Sequence, residues 1–380
     1  MSFIDTALLE SINKIAVTDS IKISLLNPEV ASLWDDFVVS CKEATFFHRA
    51  GWKSVIENAF GHKTWFLYAK RDQQIIGVLP LVEMKSRLFG HSLSSLPFCV
   101  YGGIAAVDDQ ARKLLDQAAQ KLVIQLAVDY LEYRNITPYH SDWVTKGLYV
   151  TFRKEIDVDA EKNMLAIPRK QRAMVRKGIK NNLQGSIDTD IDRFFYAYST
   201  SVHRLGTPVF SKKYFRLLKS TFGEDCELLI ISLNRKVVSA VMSFYFRDEV
   251  LPYYGGGIDE ARDLAANDFM YWELMRRSCE RRIRVFDFGR SKLDTGSYSF
   301  KKNWGFEPQP LYYEYQLHKA KEMPDHNPLN PKYRFFIQAW QKMPLTLANF
   351  IGPHIVKKSR LEKSNAKFAL SHAPYTIPSQ

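Results

Sequence analysis

One pattern occurs twice in this chain, and the repetition limits the fold more than any other feature. Residues 49–70 read RAGWKSVIENAFGHKTWFLYAK, and residues 211–233 read SKKYFRLLKSTFGEDCELLIISL. Each is a helix-period segment that ends in Phe-Gly and opens into a strand-like run. Phe60-Gly61 and Phe222-Gly223 stand 162 residues apart, from position 60 to position 222. QQIIGVLPLVEM follows the first and RKVVSAVMSFYF the second, each reading as a turn and a second strand, hence a hairpin. Gly77 and Ser239 keep the same offset. Tyr101-Gly102-Gly103 and Tyr254-Gly255-Gly256 then end a third strand in each half. Each leads into a long helix, expected from about Gln110 to Glu132 and from about Asn267 to Arg282. A repeat this long predicts a duplicated domain, since solenoid units run ~20–50 residues. The expected fold is α/β (α+β): two tandem domains, 20–157 and 158–320, each a mixed, mostly antiparallel sheet flanked by helices. A tail follows from 321 to 380.

The 380 residues carry 53 Lys plus Arg against 41 Asp plus Glu, a net charge of +12. That surplus favours an anionic partner: a nucleotide, a phosphorylated substrate, nucleic acid or an anionic membrane surface. Cys41, Cys99, Cys226 and Cys279 are scattered, without a C-x-x-C, which argues against a disulfide scaffold and a zinc ribbon. The nine histidines form no H-x-x-x-H pair, and no metal is expected. MSFIDTALLESINKIAV lacks a basic region followed by an apolar run, so no signal peptide is expected. No stretch approaches the ~20 apolar residues of a membrane span. The expected location is the cytoplasm. The segment Tyr333 to Arg360 mixes Phe335, Phe336, Trp340, Phe350 and Ile351 with basic ends. It reads either as an interfacial contact with the inner membrane or as a tail packed across the two domains. Residues after Lys363 read as a polar end.

Between the halves, Glu161 to Gly185 holds seven Lys or Arg against one acid. Pro168 suits a first helical turn and Gly185 an end, which predicts a basic helix over 165–184. Arg169, Arg172, Arg176 and Lys180 fall on one face of it. The alternatives are a solvated charged face and an anion-binding face; the near absence of acids favours the second.

The second half carries the sharper chemistry. Residues 284–291, RVFDFGRS, read as a short strand running into a glycine turn, and strand exits in α/β sheets are where ligands usually bind. DTGSYSFKKNWGFEP then brings Tyr298, Lys301 and Lys302, and PLYYEYQL closes as a strand. Asp287, Arg290, Tyr298 and the two lysines lie within 15 residues around two glycines. That density of polar groups reads as a site.

FDFGRSKLDTGSYSFKKNWGFEPQPLYYEY resembles the closing motif of Fem-type acyl and aminoacyl transferases, which are tandem GNAT-fold proteins. More narrowly it resembles the FemAB-like branch associated with PEP-CTERM/exosortase and exopolysaccharide systems. PYYGGGIDEARDLAANDFMYWEL resembles that family's strand-to-helix passage, and IPRKQRAMVRKGIK its basic helix. The resemblance spans roughly residues 30–350. Arg262-Asp263-Leu264-Ala265-Ala266-Asn267 stands where ordinary GNAT enzymes carry a Q/R-x-x-G-x-G/A acyl-CoA loop. The resemblance implies two GNAT-like domains and transfer of an acyl or aminoacyl group to an amine. The donor would be acyl-CoA or aminoacyl-tRNA, used as a co-substrate with no permanently bound cofactor. The acceptor would be a small molecule or glycan precursor of the cell envelope or an exopolysaccharide.

Acyl transfer needs a group that relays the amine's proton and fixed donors for the oxyanion. The catalytic candidates are Asp287 for the amine, Lys301 or Lys302 for the oxyanion, and the strand end at Tyr254. Arg290, Tyr298 and Tyr253 are expected to line the cleft. Arg172, Arg176 and Lys177 are expected to grip a phosphorylated acceptor or the RNA of the donor. Gly256 and Gly257 would let backbone and ligand approach closely, and Ala266 and Asn267 would meet a donor phosphate at a helix N-terminus. A second reading is a non-catalytic module of the same fold that binds a phosphorylated glycan or lipid intermediate, or RNA.

Overall fold

The structure, a computed structural model, describes residues 21–86, 90–322 and 331–358. The N-terminal stretch read for a signal and the polar end after Lys363 lie outside the described residues. The chain divides into two units. One runs to Gly147 and takes back a segment from Leu311; the other comprises Leu148–Pro310 and the C-terminal helices.

The first unit opens with β1 (Lys22–Leu25), α1 (Ala31–Ser40) and α2 (Gly51–Phe60). There follow β2 (Lys63–Arg71), β3 (Gln74–Ser86), β4 (Gly90–Ser95), β5 (Ala105–Ala106), α3 (Asp109–Leu126), β6 (Tyr130–Asn135) and β7 (Val144–Thr145). The Asp108 side chain caps α3 by accepting from the Ala111 N–H. That helix stops six residues short of the expected Glu132. Ala127 turns left-handed at its end, and Tyr130–Asn135 leaves as a strand.

The second unit opens with β8 (Tyr149–Glu155), then α4 (Ala160–Ala166), α5 (Arg169–Lys180) and β9 (Gln184–Asp188). Next come α6 (Ile191–Arg204), α7 (Lys212–Phe222), β10 (Cys226–Leu233), β11 (Lys236–Phe246) and β12 (Glu249–Gly257). After them stand α8 (Ala266–Glu280), β13 (Val285–Asp287), β14 (Ser291–Lys292), α9 (Gly296–Asn303) and β15 (Pro308–Pro310). The strand β16 (Tyr312–Leu317) returns to the first sheet, and α10 (Pro331–Lys342) and α11 (Leu345–Lys358) end the described chain. The basic segment is therefore two helices with a break at Ile167-Pro168. Gly185 lies inside β9, where a Cβ would press against Glu273, and it does not end the helix.

The duplication is written in the strand registers. Ala69 pairs with Gly77 across β2–β3, and Ile231 pairs with Ser239 across β10–β11. Each hairpin has its bulge at the next residue, Lys70 and Ser232. The turns Asp72-Gln73 and Asn234-Arg235 both hold two consecutive positive φ angles, the two-residue loop that matches strand twist. Further on, β4 pairs β6 in parallel, as β12 pairs β13.

The first sheet runs β1-β2-β3-β4-β6-β16-β7 with β5 beside β3, and the second runs β14-β8-β13-β12-β11-β10-β9 with β15 beside β8. Both are mixed sheets flanked by helices. The boundary expected at 157/158 is corrected to 147/148, because β8 pairs with β13 of the later copy. In turn β16 pairs with β6 of the earlier one. In the first unit, Leu115 and Leu122 of α3 pack on Leu79, Leu93 and Leu131. In the second, Val175, Met270 and Leu274 cover Val241, Val250 and Phe286. A fully buried side chain of this kind contributes about 1.5–3 kcal/mol. The tail helices belong to the second unit and seat on α6. The Gln341 amide donates to the Arg204 carbonyl at 2.7 Å, and Asn349 Nδ2 donates to Ser199 Oγ at 3.3 Å.

Candidate functional site

Asp287 ends β13, and its neighbours are all supplied by the chain. Its Oδ1 accepts from the Gly289 N–H at 2.7 Å and from Thr151 Oγ1 at 3.5 Å. Its Oδ2 faces Arg153 at 3.3 Å, and the same guanidinium reaches Glu249. Gly289 takes a φ of 64°, the left-handed turn that swings the strand exit back over the carboxylate. Lys301 enters from α9, whose first turn is capped by Thr295. Its Nζ donates to the carbonyls of Gly289 at 2.8 Å and Arg290 at 3.1 Å. Burial, assisted by the Arg290 charge and opposed by Asp287, pulls the Lys301 ammonium down to about 7. The Arg290 guanidinium lies 4.7 Å from the Tyr149 ring centre.

Asp287, Arg290 and Lys301 therefore come together, in a sealed node that fixes the strand-exit turn. Asp287 is 0% exposed, and both of its oxygens are engaged by groups that hold the turn. Lys302 is one residue further round the helix and points outward, its Nζ 5.8 Å from the Tyr298 ring. Tyr298 itself packs edge-on against Phe152.

The other candidates at the end of β12 go elsewhere. A bulge beside Met242 and Ser243 turns Tyr254 onto α6 and α7, where its hydroxyl meets that of Tyr214 at 2.8 Å among Tyr198, Phe210 and Phe215. Burial first, then the Tyr214 hydroxyl, hold its pKa well above the usual phenol range. Tyr253 takes the bulge and leans on Phe244. A Cβ on Gly256 would stand 2.5 Å from Ser201 Cβ, and one on Gly257 2.5 Å from Ala261 Cβ. On the side where a Cβ would stand, these glycines admit the protein's own α6 and the loop after β12.

That loop shapes the open part of the unit. Ala265 takes a left-handed φ of 55° and leaves the head of α8 without a side-chain cap. Around it lies a cavity of about 340 Å³, lined by Gln171 and Met174 of α5, Arg262, Asn267 and Asp268 of the loop and α8, and Thr295, Ser299 and Asn303 of α9 with its cap. Ala266 is buried beneath, its carbonyl accepting from Ser239 Oγ. Asp268, 4% exposed, accepts from the Gln171 amide. Burial outweighs that bond and lifts its carboxyl to about 6. Helix α9 thus serves both places, Lys301 to the node and Ser299 and Asn303 to the cavity. Asp268 and Gln171 escaped the sequence reading, because an acid in a helix's first turn is ordinary.

Helix α5 presents its charges to solvent. Among the described residues none pairs an acid with Arg169, Arg172, Arg176, Lys177 or Lys180. No group of three or more His, Cys, Asp or Glu among them is placed to hold a metal, and no helix among them is long and apolar enough to cross a membrane.

Residues 169–302, from this basic helix through Lys302, match the family described as Acetyltransferase (GNAT) domain. A UDP-N-acetylmuramoylpentapeptide-lysine N(6)-alanyltransferase of Weissella viridescens is 20% identical over 312 residues, 73% of this chain and 90% of that protein. Among solved structures, FemX superposes with a TM-score of 0.60 at 14% identity, covering 83% of this chain and all of that one. A tandem GNAT protein from the clavulanic acid biosynthesis pathway does so at 0.50 and 10%, over 80% of this chain and all of that one. The fold is a tandem GNAT-like arrangement of two mixed α/β units.

Proposed function

We propose that this chain is a transferase that moves an acyl or aminoacyl group from an activated donor, acyl-CoA or aminoacyl-tRNA, to an amine of a cell-envelope or exopolysaccharide precursor; the GNAT-family match of residues 169–302 and the similarity to an alanyltransferase support it. One observation carries this reading. The segment that matches the GNAT family contains the cavity at the head of α8, the buried Lys301 node beside it and the α5 cations Arg172, Arg176 and Lys177, which pair with no acid of the described residues. The alanyltransferase named above supports a peptidoglycan-type acceptor, and the narrower sequence resemblance supports a polysaccharide amine.

In this reading Arg172, Arg176 and Lys177 hold phosphates of the donor or acceptor, since phosphate contacts dominate such affinity. The donor comes and goes as a co-substrate. Lys301 and Asp287 keep the strand-exit turn rigid, and Arg290 and Tyr298 flank it. Contact with the inner membrane would be made by α11, where Leu347 and Phe350 are 44% and 72% exposed beside Lys357.

The test offers the purified protein labelled acetyl-CoA and charged tRNA pools, with amino sugars and peptidoglycan precursors as acceptors. Label appearing in an amide is the expected result. Binding of a donor or of RNA with no loss of the acyl group to any amine would overturn the transferase reading in favour of a binding module.

A further inference from the structure

Asp268 is the anomaly of the second unit. Taking a carboxylate out of water costs several kcal/mol unless a cation accompanies it. The other deeply buried acids of this unit have one: Asp287 faces Arg153, Glu227 faces Arg281, and Glu273 faces Arg276 and Arg277. Asp268 has the Gln171 amide and the Trp304 indole for polar neighbours, and no Lys, Arg or His of the described residues pairs with it. It also lines a cavity of about 340 Å³, within the ~300–1,000 Å³ range of small-molecule sites.

We propose that this cavity is a binding site for a primary ammonium group, which supplies the counter-charge that the fold withholds from Asp268. The other lining groups suit such a guest. Asn267, Thr295 and Ser299 are neutral oxygen-bearing side chains, and an ammonium offers three N–H donors for one carboxylate and two such oxygens. A divalent metal would ask for six or more oxygens, with more charge among them. Arg262 and Asp294 on the cavity wall are exposed and opposite in sign. A phosphate is the guest usually expected at a helix N-terminus. Here the first turn of α8 already contains the chain's own carboxylate, which repels one.

The proposal rests on the transferase reading only for whose ammonium it is. The α-amino group of an aminoacyl donor and the amine of an acceptor share this chemistry. L-Alaninamide represents the first source and D-glucosamine the second.

Calorimetric titration of the full chain with these two amines and with their N-acetyl derivatives tests it. At least one free amine should bind about tenfold or more tighter than its acetylated form, a difference of ~1.4 kcal/mol. Asp268→Asn should bring the two forms within about twofold, as expected when a desolvated charge contact is removed. Preference for alaninamide assigns the ammonium to the donor, and preference for glucosamine assigns it to the acceptor. Equal binding of free and acetylated forms by the unaltered chain, or no binding of either amine, overturns the proposal without recourse to a variant. So does a preference that survives Asp268→Asn. Amine-selective binding with no transfer from any donor would leave the site standing and remove the transferase reading. Transfer without amine selectivity would do the reverse.

Discussion

Lys301 Nζ sits 2.8 Å from the Gly289 carbonyl oxygen, a buried ammonium bonded to main chain on the turn that follows Asp287. Burial holds its pKa at about 7, against 10.5 for a free lysine. Between those values the unfolded chain keeps a proton that the folded chain has released. Stability therefore rises with pH from about 7 to about 10.5, by an amount on the order of 3–5 kcal/mol over the window. Denaturant unfolding at several pH values should show this slope in the native chain and lose it in Lys301→Met. Parallel slopes would show that Lys301 is not held this way.

Asp268 carries the opposite sign. Its carboxyl is lifted to about 6 from 3.8, so the folded state binds the extra proton between those values and stability falls as pH rises through them. Above pH 6 the whole cost of burying the charge is present. Asp268→Asn keeps the acceptor for Gln171 and removes the charge, so it should stabilise the chain at pH 7 by about 2–3 kcal/mol. Turnover should drop in the same variant, the signature of a residue kept for function at the expense of stability. A lower melting temperature would count against it.

Arg153 holds two carboxylates, Asp287 and Glu249. Arg153→Leu removes the guanidinium that both carboxylates share and should destabilise by at least ~2 kcal/mol, while the double variant with Asp287→Asn should recover part of the loss. Strict additivity in chemical denaturation would mean that the two groups do not interact.

Tyr254 offers a negative control. Its hydroxyl meets Tyr214 inside an aromatic cluster. Tyr254→Phe should cost about 0.5–1.5 kcal/mol of stability and leave the rate of transfer unchanged. A large loss of turnover at unchanged stability would return this tyrosine to the reacting groups.

The cations of α5 should act through charge alone. Arg172→Glu, Arg176→Glu and Lys177→Glu remove no ion pair, so melting should hardly move. If the donor is a charged RNA, each lost phosphate contact lowers the slope of log affinity against log salt by about 0.7–0.9. An unaltered slope in the triple variant would place the RNA elsewhere.

Much of this architecture was legible because its signals are local. The paired Phe-Gly stops and the equal offset of Gly77 and Ser239 reappear as identical registers, bulges and turns. Strand partnership is different. Tyr312–Leu317 reads plainly as a strand, yet nothing within it says which sheet it joins, and the same holds for the pairing of Tyr149–Glu155, since each depends on residues more than a hundred positions away. At the site, the cluster of Asp287, Arg290 and Lys301 was visible as a density of polar residues. That the cluster is sealed, and that Asp268 is the buried carboxylate lining the cavity, depends on burial. Asn267-Asp268 alone reads as an unremarkable helix start. Tyr254 was misplaced for a similar reason, because a one-residue bulge reverses the face a side chain takes.

The traded strands bear on how this polypeptide can be dissected. Cutting at the apparent midpoint, near residue 157, would strand Tyr149–Glu155 on the amino-terminal fragment and Tyr312–Leu317 on the carboxy-terminal one. Each piece would then carry an orphan β-segment and a sheet with an unzipped margin, the kind of surface that invites promiscuous pairing. The repeated pattern is still recognisable in both sheets, but a cut at that point leaves neither sheet with all of its strands.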